Sequence, residues 1–294
     1  MLFEQIESNK RKTLVIIFFF MLLTLATGAA LSYYLVGDLI LGLCITTIFT
    51  AIYVPISIAS AKKIVMRMNH AKKITSSKEA PHLWNSVESL SMVARIPMPE
   101  IYIIEEESPN AFAAGISPNN ASIAVTTALL EKLSREEVEA VIAHEIAHIQ
   151  NYDVRLTTIS LALVAIIVMI SDFASRFLFR NSDNKNPFIL IVSIILLILS
   201  PLIAYAIHFS LSRNREFLAD ATGAELCRNP KALASALHKI SLDDDPVDNI
   251  PISSASMYFS EPFKKENKKS KFSFNKLFAT HPPAEERIER LLNM

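Results

Sequence analysis

Apolar residues collect in four long blocks, and the first two lie next to each other near the amino terminus. Residues 13–37 and 39–61 carry no charged side chain, and Asp38 lies between them. A bilayer core takes roughly 20 apolar residues in helix, so each block is long enough to span it. A connection this short predicts an antiparallel transmembrane hairpin over residues 13–61. A cleaved signal peptide is the alternative for the first block, but its apolar run is longer than a signal core.

The third and fourth blocks predict a second transmembrane hairpin, over residues 155–211. Only 16 uncharged residues separate Arg155 from Asp172, just below the usual minimum of about 17 for a spanning helix. A buried or re-entrant helix of the water-soluble part is therefore the alternative for the third block. Residues 186–212 are uncharged apart from His208 and are long enough to span.

Basic residues flank the first hairpin on both outer sides, in residues 10–12 and 62–78. Because Lys and Arg accumulate on the cytoplasmic side of membrane helices, we predict that both ends face the cytoplasm. The chain then divides into a cytoplasmic amino terminus, residues 1–12, and two halves of one cytoplasmic domain, residues 62–154 and 212–294. Three basic residues in the loop of the second hairpin would face outward, against this tendency: Arg176, Arg180 and Lys185.

Composition excludes some classes of partner and site. The net charge is zero, so the overall charge gives no reason to expect a nucleic-acid partner. Cys44 lies in an apolar block and Cys227 in a polar segment, so the two cysteines are not expected to pair. The absence of a disulfide framework suits a reducing compartment, and a cysteine-based zinc site is disfavoured.

The main chemical motif is His-Glu-Ile-Ala-His, which begins at His144. A capping box at residues 134–137 and the apolar positions after it predict a helix over about residues 135–152. Histidines at i and i+4 lie on one helix face, so His144 and His148 could bind one Zn²⁺. Glu145 would lie beside the metal as the general base. Because the motif is short, a solvated helix face with two histidines is the alternative.

A hydrolytic zinc site needs a third protein ligand and one open position. A third histidine six residues after the motif is excluded, because that position is Val154. The common remaining ligand is a glutamate on a later helix, and the segment from residue 212 reads Ser-Arg-Asn-Arg-Glu-Phe-Leu-Ala-Asp. Its Glu216 and Asp220 share a helix face, so Glu216 could ligate the metal and Asp220 could orient a ligand histidine. An ordinary charged helix with local ion pairs is the alternative.

These two motifs, placed around an apolar hairpin, resemble the HtpX family of bacterial membrane metalloproteases, which are relatives of the eukaryotic CAAX prenyl proteases. The resemblance extends over nearly the whole chain and includes Asn-Ala-Phe-Ala-Ala-Gly at residues 110–115. It implies that His144, His148 and Glu216 bind one Zn²⁺ per subunit and that Glu145 is catalytic. It also implies a bacterial plasma-membrane location and quality control of membrane or unfolded proteins, often under stress.

β-branched and aromatic residues predict short strands, beginning with Ile-Tyr-Ile-Ile at residues 101–104. Residues 110–115 and 123–126 have the same character. In zinc proteases an edge strand beside the metal binds the substrate backbone by strand addition. By resemblance we assign this role to four residues: Asn110, Ala111, Phe112 and Ala113. A hairpin that only covers the metal-binding helix is the alternative.

His281 stands in a Thr-His-Pro-Pro segment, directly before a helix that is predicted to begin near Pro283. By resemblance, His281 could be a donor that stabilises the oxyanion of the tetrahedral intermediate. Thr280 or His281 could instead cap the helix.

Together these features predict an α-helical polytopic membrane protein with a zincin-like α+β catalytic domain. The predicted activity is endopeptidase cleavage, in which Glu145 assists the attack of a zinc-bound water on the peptide bond. Two other functions stay open. A membrane scaffold or chaperone with a structural zinc site would need four protein ligands, whereas the motifs supply three. Narrow processing of lipidated carboxyl termini is the other possibility, by analogy with the prenyl proteases.

Overall fold

The structure is a computed structural model, and it describes residues 7–22, 25, 38–164, 191, 195, 199, 213–243, 245, 257–260 and 281–294. The helices with defined bounds are α1 (Leu39–Met68), α2 (Pro81–Val93), α3 (Thr127–Lys132), α4 (Arg135–Gln150), α5 (Arg213–Cys227), α6 (Pro230–Leu242) and α7 (Ala284–Leu292). Residues 7–22 and 153–164 are also helical. The strands are β1 (Lys72–Lys73), β2 (Glu100–Ile104), β3 (Ala111–Ser117) and β4 (Asn120–Thr126). The predicted mixture of helices and a small sheet is confirmed.

Helix α1 is long and apolar enough to cross a membrane. Its 30 residues contain an 18-residue window of mean hydropathy 2.2, of which only 12% is buried inside the protein. Asp38 begins the helix, because its Oδ1 accepts hydrogen bonds from the N–H groups of Ile40 at 2.9 Å and Leu41 at 3.1 Å. In the described part of the chain this is the one helix that meets the length and hydropathy criteria. The multi-pass arrangement stays a prediction.

The described start of the third apolar block, residues 153–164, packs inside the protein. Ile159 and Leu163 contact Phe20 and Val54 in one apolar cluster. This segment therefore joins the first predicted hairpin to the rest of the fold. The remainder of the predicted second hairpin lies outside the described residues, apart from three single positions. A spanning helix and a buried helix both stay open for this block.

The four-stranded sheet has the order β1-β2-β4-β3. Strands β2 and β4 are parallel, whereas β3 and β4 form an antiparallel pair with an irregularity between Gly115 and Ser117. The three predicted strands are confirmed as β2, β3 and β4. Strand β3 lies at an edge of the sheet, on the side of α4, so the edge position predicted for residues 110–115 is also confirmed.

Helix α4 lies at the centre of the packed helices and sheet that follow α1. The predicted capping box is present, since the Ser134 side chain accepts from the Glu137 N–H and the Glu137 carboxylate accepts from the Ser134 N–H. The same carboxylate accepts hydrogen bonds from Ser235 and Lys239 of α6, each at 2.7 Å, which fixes the start of α4 against that helix. The helix ends at Gln150, two residues before the predicted end.

Helix α5 approaches α4 very closely at the first histidine of the motif. A Cβ added to Gly223 would lie 2.9 Å from both Cα and N of His144. A side chain at this position would push the two helices apart. Glycine is costly inside a helix, and here its small size permits the close contact between the two helices that carry the motifs.

Candidate metal centre and active site

His144, His148 and Glu216 converge on one point between α4 and α5. The Nε2 atoms of the two histidines are 3.1 Å apart. Glu216 places Oε1 3.7 Å from His148 Nε2 and Oε2 3.9 Å from His144 Nε2. Tetrahedral Zn²⁺ with bonds near 2.0–2.1 Å sets its ligand atoms roughly 3.3 Å apart. The three side chains therefore fit one ion, and the sequence correctly predicted that they come together.

Each of the two histidines is oriented by a carboxylate on its other ring nitrogen. Asp220 Oδ1 lies 3.0 Å from His144 Nδ1, as predicted, and Asp153 Oδ2 lies 3.0 Å from His148 Nδ1. His148 Nδ1 is thereby held as a donor, and the nearby Asp220 carboxylate favours the same role for His144 Nδ1, which directs both Nε2 lone pairs to the shared space. The sequence analysis missed Asp153. The chain turns back directly after α4, where Tyr152 adopts a φ of 60°. This turn brings Asp153, the next residue, back to the helix.

The two orienting carboxylates have further partners from opposite ends of the chain. Arg287 of α7 donates two hydrogen bonds to Asp220, from Nε at 2.8 Å and Nη2 at 2.6 Å, and a third to the carbonyl of Phe259 at 3.1 Å. Burial opposes ionisation of Asp220, but the Arg287 charge outweighs it and lowers the pKa of Asp220 to about 2. On the other side, Asn9 Nδ2 donates to Asp153 Oδ1 at 2.6 Å.

Glu145 lies beside the ligand set and is 2% exposed. Its carboxylate accepts a hydrogen bond from the backbone N–H of Ala113 in β3. Burial raises the pKa of Glu145 to about 7, against the opposing effects of His148, Ala113 and Arg287. A carboxylate with a pKa near neutrality can both take up and release a proton under physiological conditions.

His281 also reaches the ligand set. Its Nδ1 lies 3.0 Å from Glu216 Oε2, and its Nε2 is buried with no hydrogen-bond partner in the part of the chain that the structure describes. Burial alone would raise the pKa of Glu216, but the charges of His281 and His148 hold it well below its usual range. The helix-capping alternative is wrong for His281, because α7 begins after Pro283 without a side-chain cap. Thr280, the other proposed cap, lies outside the described residues.

The predicted substrate-binding residues are only partly directed toward the site. Asn110 exchanges hydrogen bonds with the backbone of Ser260, at 2.8 and 3.2 Å, and the Ala111 carbonyl accepts from the Phe259 N–H at 2.8 Å. Phe112 is fully buried in a different apolar cluster. Of the four assigned residues, Ala113 lines the cavity beside the metal centre.

That cavity has a volume of about 380 Å³ including its open mouth. Its walls contain the three candidate ligands, Glu145 and His281, as expected from the sequence. They also contain residues that the sequence analysis did not select, from three parts of the chain: Asp153, Val154, Thr157, Arg215, Met257, Tyr258 and Phe259.

Comparison with known proteins identifies the family of the chain. Residues 77–294 match Peptidase family M48. A protease HtpX homolog from Listeria monocytogenes is 50% identical over 310 residues, and one from Limosilactobacillus reuteri is 45% identical over 302 residues, each with 100% of both chains covered. The crystal structure of Ste24p from S. mikatae is similar at 20% identity with a TM-score of 0.47; the match covers 90% of this chain and 64% of that one. The resemblance to the HtpX proteases is confirmed, and the chain is a metalloprotease that belongs to Peptidase family M48.

Proposed function

We propose that the chain is a membrane-bound zinc endopeptidase in which His144, His148 and Glu216 hold the ion and Glu145 is the general base. The observation that carries this proposal is the convergence of three ligand atoms within 4.8 Å of one another, with both histidines oriented by buried carboxylates. A zinc ion bound there would acidify a water molecule and polarise the scissile carbonyl.

Glu145 performs the proton transfers. It takes a proton from the attacking water and passes it to the leaving amine. Its burial and the Ala113 N–H hold the carboxylate in place beside the ligands. His281 meets the developing oxyanion through Nε2, because Nδ1 already faces Glu216.

The substrate backbone binds at the Ala113 carbonyl, in the middle of the edge strand β3, because the Ala113 N–H already donates to Glu145. The outward-facing groups on either side of this residue already have partners. The Ala111 carbonyl accepts from Phe259, and the Gly115 N–H donates to Thr158 Oγ1 at 2.9 Å. We therefore expect strand addition over a short stretch centred on Ala113, rather than along the whole strand.

The natural substrates are membrane or unfolded proteins, cleaved on the cytoplasmic side of a plasma membrane that the chain crosses several times. The end of α1 supports this assignment. Val65 and Met66 pack in one cluster with Phe112 and Tyr258, next to the cavity. The candidate site therefore lies close to the end of the helix that can span the membrane, where a partly extracted membrane protein would be presented.

A cleavage assay with the full chain in detergent tests the proposal. The protein is incubated with an unfolded membrane substrate, with a chelator, and with Zn²⁺ restored. We expect chelation to stop cleavage and Glu145→Gln to abolish it while the bound zinc is kept. Glu139→Gln, an exposed carboxylate on the same helix, is the matched control. Cleavage that survives chelation, or equal cleavage by Glu145→Gln and wild type, would refute the assignment. A lipidated peptide and its unmodified counterpart separate general proteolysis from processing of lipidated ends.

A further inference from the structure

Arg215 is a buried arginine in the wall of the active-site cavity. It precedes Glu216 on α5 and is 5% exposed. Its Nε and Nη1 atoms are buried, and neither has a hydrogen-bond partner among the residues of the described ranges. A buried cation without a partner is unfavourable for folding, so such a group is expected to have a use that a folded, ligand-free chain does not show.

Two other arginines near the site, both on α7, are paired. Arg287 is equally buried, yet it donates two hydrogen bonds to Asp220 and one to Phe259. Arg290 is half exposed and pairs with Glu286 at 2.9 Å. Arg155 also has a buried Nε without a partner among the described residues, but it does not line the cavity. Of the described residues that line the cavity, Arg215 is the one arginine, and it is unpaired.

The acidic side chains of the cavity already have other partners. Glu145 accepts from the backbone of Ala113, Asp153 is held by His148 and Asn9, and Glu216 faces His281 and the two ligand histidines. No ion pair joins any of these carboxylates to Arg215 in the described structure. Among the described residues the guanidinium therefore has no acidic partner, and it is available to a molecule that enters the cavity.

We propose that Arg215 binds a carboxylate of the peptide substrate and so determines cleavage specificity. This inference rests on the proposed peptidase function. A guanidinium group is planar and offers a fork of donors that matches a carboxylate, and it stays charged when buried. Because Arg215 adjoins a metal ligand in sequence and lines the same cavity, the carboxylate lies within a few residues of the scissile bond. An Asp or Glu side chain and the terminal carboxylate of a peptide have the same chemistry.

Matched peptides separate these two sources. One cleavable sequence is made with Glu or Gln at each position around the scissile bond, and each peptide is made with a free or an amidated carboxyl terminus. We expect wild-type kcat/KM to favour the carboxylate form about tenfold or more at one position, as is usual for a charge-assisted hydrogen bond. A side-chain source appears as a Glu-over-Gln ratio, and a terminal source as an acid-over-amide ratio.

Arg215→Met should bring that ratio close to one, and Arg215→Glu should reverse it in favour of Lys. Arg290→Met, which removes a half-exposed arginine outside the cavity, should keep the wild-type ratio. Zinc content is measured for each variant, because residue 216 is a candidate ligand. A merely structural role predicts a lower Tm for Arg215→Met, whereas the proposed role predicts an equal or higher Tm, since a buried unpaired charge is removed.

Binding provides a readout that does not depend on turnover. The same peptides are titrated into the Glu145→Gln protein with and without Arg215→Met, and the ratio of dissociation constants should follow the kinetic ratio. Metal-dependent cleavage with no carboxylate preference in wild type, or a preference that survives Arg215→Met, overturns the role of Arg215 alone. Absence of metal-dependent cleavage of every peptide and of the unfolded substrate overturns the proposed function, and the binding ratio still decides the role of Arg215.

Discussion

The two ligand histidines lie one helical turn apart, yet they are supported from opposite ends of the chain. His144 is backed by Asp220 and then by Arg287 of the carboxyl-terminal helix. His148 is backed by Asp153 and then by Asn9 of the amino-terminal helix. The first partner is a carboxylate in both cases, whereas the second is a cation on one side and a neutral amide on the other.

The two rings also differ in protonation state. Burial lowers the pKa of His144 to about 4, and Asp220 recovers only part of the loss because the charges of His148 and Arg287 oppose it. Burial would also lower the pKa of His148, but the charge of Glu216 and the hydrogen bond to Asp153 outweigh it and raise the value to about 9. Two Nε2 atoms 3.1 Å apart cannot both carry a proton. Without a metal ion, His148 therefore carries the proton.

Of these contacts, the one between Arg287 and Asp220 should contribute most to the free energy of unfolding. Arg287→Met leaves the Asp220 carboxylate buried and unpaired, and breaking a buried pair in this way typically costs about 3–5 kcal/mol. Chemical denaturation in detergent measures the change in unfolding free energy. Glu289→Gln, at an exposed position of the same helix, should change it by less than about 0.5 kcal/mol. Equal stability of Arg287→Met and wild type would contradict the comparison.

The contact between Asp153 and His148 should affect metal binding more than folding. Asp153→Asn removes the charge that orients His148 and is expected to weaken zinc binding by roughly 10- to 100-fold, the usual effect of losing such a partner. Competition with a chromophoric chelator measures the affinity. Because protonated His148 keeps the charge of Glu216 beside it when Asp153 is lost, the unfolding free energy of the metal-free protein should fall less than in Arg287→Met. A larger loss of stability for Asp153→Asn would reverse the proposed division of roles.

The protonated state of His148 predicts a pH dependence of metal affinity. A ligand histidine must be neutral to bind zinc, so below pH about 9 a proton competes with the ion. Apparent affinity should therefore rise about tenfold for each pH unit between 6 and 8, roughly 1.4 kcal/mol per unit. Calorimetry in buffers of different ionisation enthalpy should show about one proton released per zinc bound at pH 7.5. Affinity that stays constant across this range would place the proton elsewhere.

Substitution of Asn9 should have the smallest effect on zinc affinity. Asn9→Ala removes a single hydrogen bond to Asp153, worth about 0.5–1.5 kcal/mol, so zinc affinity should fall by up to roughly tenfold. Glu7→Ala, an exposed change two residues away, is the control. Asn9→Ala and Asp153→Asn should also be non-additive, because they act through one histidine. Full additivity would show that Asn9 does not act through Asp153.

The sequence was most informative where the relevant signals are local. The capping box of α4, the i,i+4 spacing of His144 and His148, and the shared face of Glu216 and Asp220 each depend on residues within one or two turns. The edge position of β3 followed from the same kind of local pattern, combined with resemblance.

The supporting contacts could not be read from the sequence because they join distant segments. Asn9 and Asp153 are 144 residues apart, and Asp220 and Arg287 are 67 apart. Arg287 stands in a charged stretch that is typical of a solvated helix, and only the packing of α7 against the core shows that it is buried. For His281, two interpretations fitted the sequence equally well, and the contact with Glu216 favoured one of them.

The most direct test of the metal centre is zinc X-ray absorption of the purified, full-length protein. We predict two imidazole nitrogens and one carboxylate oxygen from the protein, with at least one further light-atom ligand that is not a side chain. Glu216→Gln should change this signal, whereas Glu139→Gln should leave it unaltered. A sulfur ligand, a fourth protein side chain, or a spectrum that does not respond to Glu216→Gln would contradict the account.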